Sequence, residues 1–162
     1  MSLYLGIDPG VTGALALVCA RRGVLEVAGV PVCSNGTTGV VTREVDVRET
    51  GELLRSWSDR HGLACEHLTA VIERPQAMRT GVTALSQGDS YGALRAVAGM
   101  WAQRVERVNP AAWKRMFGLT GEGKAASVEC ARRLYGAQLP KRLRNDLAEA
   151  VLLARFGVVT LS

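Results

Sequence analysis

One stretch restricts the fold more than any other, the opening run Leu3-Tyr4-Leu5-Gly6-Ile7-Asp8-Pro9-Gly10-Val11-Thr12-Gly13-Ala14-Leu15-Ala16-Leu17-Val18. Leu3, Leu5 and Ile7 alternate with Tyr4 and Gly6, the period of a strand, and the apolar run stops at Asp8. Pro9-Gly10 is a turn dipeptide, and Gly13 permits a second close backbone approach. The residues from Ala14 then read as a second strand running back. A carboxylate at the end of a core strand, beside a glycine-bearing hairpin, can hold a cation against a phosphate. The same Asp in the same place can also do no more than cap its turn. The rest of the chain decides between these, because it supplies three more carboxylates that could meet Asp8.

Residues 23–30 read as a third strand, giving an antiparallel meander. Residues 31–43 carry Pro31, Ser34, Asn35, Gly36 and Gly39 and read as a loop. A helix is expected from Glu52 to Arg60 with Leu53, Leu54 and Trp57 on one face, and Glu49 and Glu52 read as solvated charges. Leu68-Thr69-Ala70-Val71-Ile72-Glu73 is a short apolar run that ends, like the first, in a carboxylate.

Val82 to Arg104 has a long helical pattern. Gly88, Gly92 and Gly99 each cost it roughly 1 kcal/mol relative to Ala, which is tolerable where another helix or a second subunit packs closely. Residues 105–109 read as a strand, with Asn109 as cap and Pro110 as first residue of a short helix holding Trp113, Lys114 and Arg115. Gly121-Glu122-Gly123-Lys124 lacks the spacing of a Walker loop and leads into a helix from Ala125 to Tyr135. A last helix spans Leu143 to Phe156. In it Asp146 and Glu149, three apart, share a face while Ala150, Leu153 and Ala154 pack inward. An acidic pair this early in a helix can also serve only the helix dipole.

At 162 residues, 48% of them hydrophobic, the chain reads as one folded domain, 1–162. No apolar run approaches the roughly 18–20 residues that span a bilayer. No basic leader precedes the first strand, and Asp8 interrupts its apolar part. The expectation is a soluble, cytoplasmic protein with no membrane partner. Cys19, Cys33, Cys65 and Cys130 are scattered without CxxC spacing, so reduced thiols are expected rather than a zinc or redox pair. Charge is uneven beneath the net +5. Residues 74–144 carry 13 basic and 4 acidic side chains, whereas residues 1–73 carry 6 and 9. A basic middle beside acidic clusters suits a polyanion gripped near a metal site.

Asp8, Glu73, Asp146 and Glu149 offer oxygen ligands only, a donor set for Mg²⁺ or Mn²⁺ rather than zinc. Two such ions can grip one phosphodiester, activate a water and stabilise the leaving 3′ oxygen. Residues of the basic stretch, Arg79 and Arg115 among them, would hold the flanking backbone. Neither His61 nor His67 sits in a catalytic context.

Over nearly its whole length the sequence resembles the RuvC-type Holliday junction resolvases of the RNase H-like superfamily. The resemblance is carried by Leu5-Gly6-Ile7-Asp8-Pro9-Gly10 with Thr12-Gly13, Val71-Ile72-Glu73, the helix near Ala84-Leu85, Gly121-Glu122-Gly123-Lys124, and Asp146-Leu147-Ala148-Glu149-Ala150, in order and spacing. It implies an α/β fold: a five-stranded mixed sheet, three antiparallel strands followed by parallel additions, flanked by helices. It implies a homodimer that places two active sites on one four-way junction and makes paired nicks leaving 5′-phosphate and 3′-hydroxyl ends. Asp8, Glu73, Asp146 and Glu149 match the family's metal-binding carboxylates. Lys114 and Lys124 fall where the family carries lysines near the scissile phosphate, and the helix from Val82 resembles its dimer-forming helix.

Three departures accompany the match. Glu149 stands where cellular members commonly have Asp. Gln76 stands where they carry an aromatic wedge that opens the junction centre. The chain also stops at Ser162, soon after the catalytic helix, which is similar to phage-encoded resolvases that accept a wider range of branched DNA. Rival readings are an RNA-directed nuclease of the same superfamily, a sugar-kinase-like ATPase domain, and a noncatalytic DNA-binding module. Substrate competition, nucleotide binding and metal-dependent cleavage respectively tell them apart.

Overall fold

A computed structural model describes residues 2–34, 43–62, 67–76 and 81–161. Strands β1 (Leu3–Asp8), β2 (Ala14–Cys19) and β3 (Gly23–Gly29) form the antiparallel meander that the alternation predicts. β6 (Leu68–Glu73) pairs with the other side of β1 in parallel, and β7 (Arg104–Val108) adds in parallel to β6. The sheet order is β3-β2-β1-β6-β7, with β1 in the middle, as the mixed five-stranded expectation requires.

The helices are α1 (Val47–His61), α2 (Gly81–Trp101), α3 (Pro110–Met116), α4 (Lys124–Tyr135) and α5 (Asn145–Thr160). Strand alternation divides the apolar side chains between two layers. Leu3, Leu5 and Ile7 of β1 join Leu54 and Trp57 of α1 and Leu94 and Val97 of α2 in one core. Tyr4 of β1 and Val71 of β6 join Trp113, Ala131 and the inner residues of α5 in the other. Within α5, Ala148 and Ala150 to Ala154 are fully buried, so α5 is an interior helix.

How closely α5 can approach depends on two glycines. A Cβ on Gly6 of β1 would strike the Ala150 carbonyl and come 2.5 Å from the Ala154 nitrogen. A Cβ on Gly157 would come 2.7 Å from both Tyr4 Cδ1 and Val71 Cγ2. The helix therefore rests directly on the central strand, two residues before Asp8.

Several boundaries differ from the sequence reading. The ends of the supposed 31–43 loop pair as β4 (Val32–Ser34) and β5 (Arg43–Val45), with Val32 opposite Val45; residues 35–42 lie outside the described residues. α1 starts at Val47 rather than Glu52, because the Asp46 side chain accepts a hydrogen bond from the Glu49 amide at 2.9 Å and caps it there. Asn109 holds the cap position of α3, but its side chain makes no capping bond. In α2, a Cβ on Gly88, Gly92 or Gly99 would meet nothing within 4 Å, while Leu85 and Met100 are 75% and 81% exposed. Among the described residues, then, no neighbouring helix packs against those glycines. Cys19, Cys33 and Cys130 are free thiols, and Cys65 lies outside the described residues. No helix among the described residues is long and apolar enough to cross a membrane.

Candidate active site

Asp8 closes β1 and Glu73 closes β6. The two strands are adjacent and parallel, with Ile7 opposite Ile72, so both carboxylates emerge at the same C-terminal edge. There the chain turns from β1 into the β2 hairpin on one side and leaves β6 for α2 and β7 on the other, so the two connections diverge at this edge. α5, seated on Gly6, brings Asp146 and Glu149 to that edge. Glu149, Glu73 and Asp146 all act electrostatically on Asp8, so the four predicted carboxylates converge.

The cluster carries more negative charge than its surroundings balance. Burial is the largest reason that the Asp8 carboxyl is pushed up to about 8 from 3.8; Glu149, Glu73 and Asp146 follow, and Lys114 pulls the other way. Burial also raises Glu73. The Trp113 hydrogen bond and the Lys114 charge oppose that rise, and Glu149 adds to it.

α3 supplies the counterweight. β7 runs beside β6 with Val108 opposite Glu73, so the helix that follows begins next to the carboxylate. Trp113 is fully buried, and its Nε1–H donates to Glu73 Oε2 at 2.6 Å. Lys114, next in sequence, sets its Nζ 3.9 Å from Glu149 Oε1 and 5.2 Å from the Trp113 ring centroid. Ser127 of α4 donates to Glu149 Oε1 at 3.2 Å, and Arg144 donates to Asp146 Oδ2 at 2.5 Å.

Two recesses open beside the carboxylates. One, about 210 Å³, is lined by Asp8, Glu73, Pro75, Gln76, Gln87 and Lys114. The other, about 180 Å³, lies across Lys114 and is lined by Lys124, Ser127, Asn145 and Glu149 among others. Lys124 and Lys114 thus share a recess with Glu149. Arg115 is exposed on α3 and lines neither recess. Arg79 lies outside the described residues. Gln76 is among the residues that line the first recess, and His61 is instead paired with Glu26 at 2.9 Å.

Sequence reasoning passed over Trp113, Ser127 and Arg144, which hold three of the four carboxylates. Trp113 did carry a signal: a buried indole N–H needs an acceptor, and its helix directly follows the strand paired with β6.

No three His, Cys, Asp or Glu side chains among the described residues close into a ready-made metal cluster. The donor chemistry nevertheless fits a hard divalent cation. The oxygens are carboxylates in charge excess, and Asn145 Oδ1, in the recess with Glu149, is buried with no hydrogen-bond donor among the described residues.

No family model and no curated protein sequence matches this chain. Solved structures do. The chain is similar to the RuvC of T. thermophilus in complex with a Holliday junction substrate, with a TM-score of 0.69 and 19% identity over 95% of this chain and 91% of that one. A further Thermus thermophilus RuvC structure is similar with a TM-score of 0.54 and 19% identity, over 96% and 97% of the two chains. The class so defined is the RNase H-like fold. More narrowly it is the RuvC form of that fold, and at this level of identity the likeness is one of fold.

Proposed function

We propose that the chain is a divalent-metal-dependent endonuclease that hydrolyses phosphodiester bonds in branched DNA, with four-way junctions as its principal substrate. The observation that carries this reading is the convergence of Asp8, Glu73, Asp146 and Glu149 at one sheet edge, with Lys114 and Lys124 in the adjoining recesses. The likeness to a RuvC solved on a Holliday junction supports the choice of substrate.

Asp8, Glu73, Asp146 and Glu149 would hold Mg²⁺ or Mn²⁺, two ions per site, which when bound supply Lewis-acid activation of a water and neutralisation of charge on the leaving 3′ oxygen. The chain's own residues do the positioning. Trp113 fixes the orientation of Glu73, and Ser127 that of Glu149. Lys114, braced on the Trp113 ring, and Lys124 attract a phosphate into a site whose carboxylates would otherwise repel it. A second copy packing on α2 would cover Leu85 and Met100 and give Gly88, Gly92 and Gly99 their close neighbour. Two sites would then act on one junction.

The test is cleavage of a labelled synthetic four-way junction beside matched duplex, Y-fork and RNA–DNA hybrid, in Mg²⁺ or EDTA. Metal-dependent paired nicks on the junction are the expected result. Equal cutting of forks would widen the substrate to branched DNA in general, as the Gln76 substitution for an aromatic wedge suggests. Cutting of the hybrid alone would refute the reading.

A further inference from the structure

Lys114 and α3 lie on the β6–β7 side of Asp8. On the β2–β3 side the carboxylate edge continues into a third recess, about 510 Å³, lined by Thr12, Gly13, Gly29, Arg43, Arg144 and Asp146 among others. Gly13 and Gly29 lie side by side in it without side chains, and the Arg144 guanidinium rests over them: a Cβ on Gly29 would lie 3.3 Å from Arg144 Nη2 and 3.9 Å from the Gly13 carbonyl. Asp146, at the inner end, is 20% exposed and neutralised by Arg144, whose own side chain is 63% exposed. Arg43 stands exposed at the wall, and among the described residues no carboxylate pairs with it. The recess therefore carries one positive charge in excess, from a residue of the acidic N-terminal half that the fold sets beside the basic stretch.

An open groove with two glycines and two guanidinium groups suits a sugar-phosphate backbone. The glycines admit close approach, the Arg43 fork can donate two hydrogen bonds to phosphate oxygens, and Arg144 can add the N–H groups that Asp146 does not use. A strand held only at Lys114 and Lys124 could pivot about the scissile phosphate, whereas a grip on both sides of the carboxylates fixes its direction through the site. We propose that this groove binds the backbone of the cleaved strand on the β2–β3 side of the scissile phosphate, through Arg43 and Arg144. This rests on the nuclease reading above.

The experiment is equilibrium binding of a labelled four-way junction by wild type, Arg43→Gln and Arg43→Lys, in EDTA over a salt series. Arg43→Gln should weaken binding about three- to tenfold near physiological salt and lower the slope of log affinity against log salt by about 1, and Arg43→Lys should restore the slope. Nested substrates shortened from the 5′ or the 3′ side of the cut then locate the contact: in one series the difference between wild type and Arg43→Gln disappears. Equal affinity and slope in Arg43→Gln would overturn the proposal. A weakening that no truncation removes would overturn it too, since that marks general attraction. Unchanged melting of Arg43→Gln is the folding control, and Arg43→Lys carries the comparison if that control fails. Failure of the wild type itself to bind branched DNA would sink the nuclease reading, a result distinct from both.

Discussion

Replacing Asp8 by Asn is expected to stabilise the metal-free protein while abolishing the proposed activity. The Asp8 carboxyl sits near 8 rather than 3.8 because burial and then Glu149, Glu73 and Asp146 disfavour its charge. Unfolding relieves all of this. Between about pH 4 and about pH 8 the folded chain keeps a proton that the unfolded chain has released, so stability falls as pH rises through that window. At about 1.4 kcal/mol for each tenfold in proton affinity, moving from about pH 5 to about pH 8 removes on the order of 3–4 kcal/mol. Glu73, raised in the same direction, adds to the loss.

Asparagine has no charge to bury. The variant should melt above the wild type at about pH 8 by roughly 6–16 °C, and the two should approach each other as the pH falls. The assay is thermal unfolding in EDTA across that pH range, repeated with Mg²⁺. A hundredfold excess of metal over its dissociation constant returns about 2.7 kcal/mol to the wild type; the variant should gain little. A metal-free wild type whose melting temperature does not fall between about pH 5 and pH 8 would refute the reasoning. So would an Asp8→Asn variant that melts below the wild type at the upper end.

Four further outcomes are expected. Trp113→Phe removes the donor to Glu73 and should cost about 1–3 kcal/mol of stability by denaturant titration. It should also slow cleavage with partial recovery at higher pH, where Glu73 regains its charge; an unchanged pH–rate profile would remove Trp113 from that role. Gly6→Ala drives a methyl into the backbone of α5 and should cost about 3 kcal/mol or more, so melting within a degree or two of wild type would show that α5 does not rest on β1. Lys124→Ala should reduce the single-turnover cleavage rate more than junction affinity. Gly92→Leu should shift the mass measured by light scattering from dimer to monomer, and a normal dimer would move the seam off α2.

Much of this architecture was legible because its strongest signals are local. The alternation in Leu3–Ile7, the turn at Pro9-Gly10 and the apolar run closed by Glu73 each specify a strand and put a carboxylate at its end. Asp146 and Glu149 were readable as a pair from helix geometry alone. What escaped was set by contacts between distant segments. Trp113 and Glu73 are 40 residues apart, and Ser127 and Glu149 are 22 apart; no spacing rule links them. Arg43 was hidden by its acidic surroundings in sequence, although the fold sets it in one groove with Arg144. The β4–β5 pair was missed because its strands span three residues each, too short for alternation to register.

The contact between Gly6 and α5 also has a consequence for timing. Asp8 belongs to the first strand, whereas Asp146 and Glu149 belong to the last helix, and the site exists only when these are pressed together. Contacts of such long sequence separation are the slowest to form, because the loop between them must close first. On the ribosome the first strands emerge long before α5 is made. The nascent chain would therefore carry exposed basic side chains able to touch nucleic acid while lacking half of its proposed catalytic carboxylates. A partly synthesised molecule could cling to DNA, but it could not cut it.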